Sequence, residues 1–249
     1  MNTEPATWEK LIPRRLGNLP LGGDLTRTDA GSSPSARIAI LGVYPAATKW
    51  RIFKAKEHRL KLPNAVEKTS FEATSASGRE LDETYLAPLG LNRKAVFLFD
   101  MMPYFFANTS VGKNGRSMWT NIEIYEKESG HKTAVRPRPE PDKLLVECRE
   151  MPGNSDRLAD YMQRCAPELL LTLGNEGAAF VRGDLVAKDA QPHLLGDPVE
   201  MEVLGVRTRV VHLPHPGIVM KNDDWRDRHG RWCRESQSSV ASIKADLGS

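Results

Sequence analysis

Apolar positions gather in short continuous runs separated by polar, glycine-bearing stretches. Ala36-Arg37-Ile38-Ala39-Ile40-Leu41-Gly42, Ala95-Val96-Phe97-Leu98-Phe99-Asp100 and Glu168-Leu169-Leu170-Leu171-Thr172-Leu173 each read as strands buried on both faces of a parallel sheet. Ser77 to Gly90 reads as a helix, with Ser77 as N-cap and Glu80 three residues on. The spacing of Leu158, Tyr161, Met162 and Cys165 predicts a helix over 155–165. Gly174 turns the third strand into a helix over 175–181. Residues 199–204 and 207–212 flank Gly205 as a hairpin, and 236–247 reads as a last helix.

Between these elements the pattern is weaker. Residues 43–75 read as mostly irregular and basic. Polar–apolar alternation from Asn121 to Lys127, then Ser129-Gly130, suggests a surface hairpin returning over 132–136. Arg136-Pro137-Arg138-Pro139-Glu140-Pro141 reads as an extended connector. Strand–helix alternation predicts an α/β fold with helices on both faces of the sheet. Residues 1–35 form a peripheral segment, with a short helix over 6–16. Residues 36–249 form one domain interrupted by an insertion at about 101–154.

Composition narrows the class. The 249 residues are 40% hydrophobic and 27% charged, which suits a globular chain and excludes a disordered one. No apolar run approaches the ~20 residues of a membrane span, and the N-terminus lacks a signal-peptide core. The expectation is a cytoplasmic protein with no membrane partner. Cys148, Cys165 and Cys233 are too scattered for a zinc knuckle or disulfide framework and read as reduced thiols. The net charge of +3 says little, but its distribution says more. Lys49, Arg51, Lys54, Lys56, Arg59 and Lys61 face a single acid, Glu57, across one short stretch; alone, such a run is also compatible with a solvated face.

In open α/β sheets chemistry gathers at the carboxyl ends of strands. Four segments fall there: Gly42-Val43-Tyr44-Pro45-Ala46, Asp100-Met101-Met102-Pro103, Gly174-Asn175-Glu176 and His212-Leu213-Pro214-His215-Pro216-Gly217. No P-loop, dinucleotide fingerprint or nucleophile elbow occurs, and the six histidines lack metal-ligand spacing. Neither a metal nor a cofactor is expected.

Taken in order, G-V-Y-P-A, the strand ending in D-M-M-P, L-L-L-T-L-G-N-E-G and L-P-H-P-G resemble the motifs of the uracil-DNA glycosylase superfamily. Phe71, followed by Ser77-Gly78-Arg79-Glu80-Leu81-Asp82, resembles that family's stacking phenylalanine and the helix behind its pocket. The resemblance spans about Ile38 to Val219. It implies a three-layer α/β/α sandwich with a central, mostly parallel, four-stranded sheet. It also implies hydrolysis of the N-glycosidic bond of a flipped nucleotide, leaving an abasic site.

By the same resemblance His215 donates to base O2, and Tyr44, Ala46, Phe71 and Asp100 form the base pocket. Ile218, Val219 or Met220 would fill the vacated stack. Lys49, Arg51, Lys54, Ser77, Asn175 and Lys221 would hold the DNA. Without a ligand, Phe71, and any of Ile218, Val219 and Met220, would be ordinary core residues.

Three departures refine the expectation. The base-reading position, usually Asn, is Asp100, and a carboxylate accepts well from the cytosine amino group. Ala46 leaves room where uracil-specific members place a tyrosine against base C5. Val43 and Tyr44 stand where many members carry a water-activating acid or amide. Glu72 is the nearest substitute, with Asp82 and Glu83 as fallbacks. The insertion residues Tyr104, Phe105, Phe106, Asn108, Trp119 and Asn121 could line a pocket for a C5 group.

The expected substrate is therefore a C5-modified cytosine, a glucosylated hydroxymethyl group included, in DNA and in an anti-phage setting. The expected enzyme is a monomeric glycosylase without strand cleavage. Two alternatives stay open: a uracil or mismatch repair glycosylase, and a non-catalytic DNA damage-binding module.

Overall fold

The computed structural model describes residues 36–45, 47–55, 58–66, 76–112, 115–129 and 135–245. The peripheral segment 1–35, with its short helix, lies outside them, as do Ala46, Phe71 and Glu72. The three apolar runs form β1 (Ile38–Gly42), β4 (Val96–Asp100) and β7 (Leu169–Leu173), buried along their whole length. β9 (Val206–Leu213) completes a set of four parallel strands, in the order β4-β1-β7-β9. A fifth strand, β8 (Val199–Val203), adds an antiparallel edge that the four-stranded expectation lacked. Leu204 and Gly205 connect β8 to β9 at φ 51° and 80°, the left-handed pair that a type I′ hairpin turn needs.

Because side chains alternate along a strand, each buried strand feeds two cores. Ala39, Leu41, Phe97, Phe99 and Leu170 pack under α3 (Pro141–Glu150), α4 (Asn154–Cys165) and α5 (Gly174–Arg182). Ile38, Ile40, Val96, Leu98, Leu171 and Val211 pack against the other layer. That layer holds α1 (Ala76–Glu80), which widens into a π turn over Leu81–Leu86 and a 3-10 turn over Ala87–Leu89, closed by left-handed Gly90. It also holds α7 (Asp223–Ala245). The molecule is thus an α/β/α sandwich. No helix among the described residues is long and apolar enough to cross a membrane.

Five expectations change. Residues 43–75 are not mostly irregular: β2 (Ala47–Ala55) and β3 (His58–Val66) form an antiparallel hairpin there. Leu60 and Leu62 join a separate apolar cluster with Phe105, Ala107, Ile122, Tyr125 and Val135. The hairpin expected near 121–136 is instead the helix α2 (Met118–Ser129). Its local alternation is overridden by the burial of Ile122 and Tyr125, three apart on one helical face, and by Ser117, whose hydroxyl accepts the Thr120 N–H. The proline-rich connector is extended only as far as Glu140. It contributes a short strand, β6 (Arg136–Pro137), beside β5 (Phe106–Ala107), and then Pro141 opens α3 as a first-turn proline. The last helix begins at Asp223 rather than 236, and Ser77 lies inside α1 rather than capping it.

Candidate active site

The four parallel strands end along one edge of the sheet, with Gly42 level with Asp100 and Leu173 level with Leu213. A cavity of about 850 Å³ opens at this edge. Val43 and Tyr44, after β1, form one wall, and Gly174, Asn175 and Glu176, at the start of α5, form another. His215 and Ile218 come from the loop and short helix α6 (Pro216–Val219) after β9. Ser77 reaches it from α1, while Arg138, Glu140, Pro141 and Asp142 come from the insertion, facing Ala187 and Lys188.

His215 is held in one tautomer. Its Nδ1 accepts the Gly217 N–H at 2.9 Å, so the ring proton resides on Nε2. Burial pushes its pKa down to about 4; nearby Glu176 opposes this, and Arg138 and Lys221 reinforce it. His215 is therefore a neutral N–H donor at pH 7. Its backbone is anchored too: the buried Tyr85 hydroxyl donates to the Pro214 carbonyl at 2.7 Å. Tyr85 in turn stacks on buried His229, with ring centroids 3.9 Å apart.

Tyr44 is half-buried and packs edge-on against Phe106 at 5.5 Å. The Arg138 guanidinium lies over the Tyr44 ring, 5.5 Å from its centroid, and donates to Glu176 Oε1 at 2.6 Å. Burial raises the Tyr44 pKa against the opposing charge of Arg138, with Glu176 and Asp100 adding to the rise, so the phenol stays protonated. Tyr44, Arg138, Glu176 and His215 thus form one contiguous polar wall.

Asp100 is fully buried at the end of β4 and is not among the residues lining the cavity. It acts electrostatically on Tyr44 and on Arg157, whose guanidinium donates to the carbonyls of Asp100 and Met101 at 2.9 and 2.7 Å. Arg157 lies on α4, so the outer helix layer clamps this strand end.

No protein-family profile and no curated protein matches the chain.

Of the residues picked from sequence, Tyr44, Ser77, Asn175, His215 and Ile218 meet around the cavity. Ile218 is 41% exposed on α6, and Lys221 is exposed just beyond it. Lys49, Arg51 and Lys54 lie on β2, where Arg51 pairs with Leu62 and Lys54 with Arg59. Asp82 is not free for catalysis: the Arg93 guanidinium binds both its carboxylate oxygens at 2.7 and 3.0 Å.

The insertion contributes to the cavity through residues other than those expected. Phe105, Phe106 and Asn121 are buried, and Trp119 packs on the β2–β3 cluster. Asn108 is exposed, and Tyr104 lines a neighbouring depression of about 710 Å³ with Arg136 and Lys143. Sequence reasoning missed Arg138, Glu140, Asp142 and Lys188, and passed over Glu176. Glu176 lies in a strand-end segment and was legible by position. Arg138 sits in a proline-rich stretch with no periodicity, and only the pairing of β5 with β6 brings it to the cavity.

Proposed function

We propose that this chain is a monofunctional DNA glycosylase that hydrolyses the N-glycosidic bond of a flipped base. The observation that carries this reading is the locked, neutral His215 at the carboxyl edge of the sheet. As the bond between C1′ and the base breaks, negative charge develops on the base and positive charge on the sugar. A preorganised neutral donor such as His215 Nε2–H stabilises the former without first binding the anion as a cation would. Ile218, exposed on the turn that follows, suits the wedge that replaces the flipped nucleotide. Lys221 and the basic β2 strand suit the phosphates. Phe71 would stack on the base.

The preferred base is a C5-substituted cytosine. A cavity of about 850 Å³ falls in the range that takes a ligand larger than one planar ring. Its outer wall of Arg138, Glu140, Asp142 and Lys188 offers donors and acceptors suited to a hydroxyl-rich substituent. Asp100, buried at the end of β4 and acting electrostatically on Tyr44, would bias the pocket toward the cytosine amino group. A role against phage DNA, as a cytoplasmic monomer, follows from this substrate.

The test uses purified protein and four DNAs, carrying uracil, cytosine, 5-hydroxymethylcytosine or glucosylated 5-hydroxymethylcytosine. Alkali-labile sites are scored, and the released base is identified by mass spectrometry. Release from modified cytosine is expected, with His215→Ala slowing it about 10²- to 10³-fold. Release from uracil alone would make this a repair enzyme, and release from none a binding module.

A further inference from the structure

The first-strand segment Gly42-Val43-Tyr44-Pro45 ends at the cavity without an acid, yet three carboxylates line the same cavity: Glu140, Asp142 and Glu176. Asp142 already has a structural task, accepting the Ala187 N–H at 2.8 Å. Glu140 is exposed ahead of α3. Glu176 differs from both. It stands in the first turn of α5, with its side chain only 13% exposed. Arg138 holds Oε1, and among the described residues nothing bonds Oε2.

Gly174 explains why that oxygen shares space with His215. Gly174 has φ +83°, and a Cβ built on it would stand 3.5 Å from Glu176 Oε2 and 3.4 Å from His215 Cβ. The missing side chain leaves one gap flanked by a carboxylate oxygen and by Cβ and Cδ2 of His215, the residue whose Nε2–H is the neutral donor. This is the pairing that hydrolysis of a glycosidic bond uses: an acceptor for the proton of water, and a donor for the leaving group.

We propose that Glu176 is the general base, an assignment that rests on the glycosylase reading above. A water held at Oε2 attacks C1′ as the C1′–N1 bond breaks. The bonding pair leaves with the base, and the charge on its O2 is met by His215 Nε2–H. The water oxygen forms the new bond to C1′, its proton passes to Glu176, and Glu176 returns that proton to solvent. Arg138 is a positioning residue, fixing the carboxylate from the Tyr44 side.

Single-turnover rates are measured at pH 7.5 for wild type, Glu176→Gln and Glu176→Asp on the modified-cytosine DNA. Affinity for the same duplex made uncleavable by 2′-fluorination is measured in parallel. The proposal expects Glu176→Gln to lose about 10²- to 10⁴-fold in rate. It also expects that variant to keep its affinity. Glu176→Asp, which preserves the charge facing Arg138, should react faster than Glu176→Gln and more slowly than wild type. A Glu176→Gln rate like wild type overturns the assignment and leaves the glycosylase reading standing. Affinity lost in step with rate overturns it too, making Glu176 a binding residue. Absence of base release by wild type overturns both.

Discussion

Asp100 carries the specificity argument at the scale of a single residue. Its carboxylate accepts hydrogen bonds and donates none, whereas Asn at the same place would offer one of each. The structure buries it completely, within electrostatic reach of the Tyr44 phenol and the Arg157 guanidinium. Asp100→Asn should therefore lower release of modified cytosine by roughly 10- to 100-fold, the cost of one mismatched base contact. The same variant should raise release of uracil. Competition between the two DNAs in one reaction measures this ratio directly. An unchanged ratio would remove Asp100 from base reading and leave it a strand-end residue.

At the scale of elements, the loop that carries His215 is braced by the layer behind the sheet. The π turn places Tyr85 so that its hydroxyl reaches the Pro214 carbonyl, and α7 supplies His229 as the stacking surface. Tyr85→Phe keeps the ring and removes the donor, leaving a buried carbonyl without that partner. The expected loss is about 1–3 kcal/mol of unfolding free energy, read from urea denaturation. Because the carbonyl belongs to the residue before His215, base release should also slow by roughly 10-fold. Full activity with reduced stability would mean that the brace is structural only.

At the scale of the whole molecule, three histidines tie stability to pH. Burial pushes His212, His215 and His229 each down to about 4. His212 is bonded through Nδ1 to the Thr172 hydroxyl at 2.8 Å, across β7 and β9. The unfolded chain takes up protons at these rings near pH 6.5, while the folded protein resists until about 4. Stability from this source is complete above about pH 6.5 and is lost as pH falls toward 4, by up to about 3 kcal/mol per histidine. Melting temperatures measured from pH 7.5 to 4.5 should fall steadily below 6.5. His229→Phe, which retains an aromatic face for Tyr85, should flatten part of that fall.

What was legible in the sequence follows from how local each signal is. The three fully buried strands announce themselves because burial on both faces demands continuous apolar runs such as Ile38–Leu41 and Leu169–Leu171. Gly42 and Gly174 place the loops after β1 and β7, so Tyr44 and Asn175 could be picked in advance, as could His215 within Leu213-Pro214-His215-Pro216-Gly217. The sequence by itself thus determined the sheet, its layers and the edge at which the cavity lies. It did not determine the helix at 118–129, because the alternation around Ile122 suits a strand until Leu60, Leu62 and Phe105 supply a surface for a helical face. Nor did it determine the partnership of Arg138 and Glu176, which lie 38 residues apart. Only tertiary structure decides such a pair, because its geometry depends on where β5 and β6 carry the insertion relative to the end of β7. Only tertiary structure, likewise, sets the protonation of His215, because burial and the Gly217 N–H act on the ring through space.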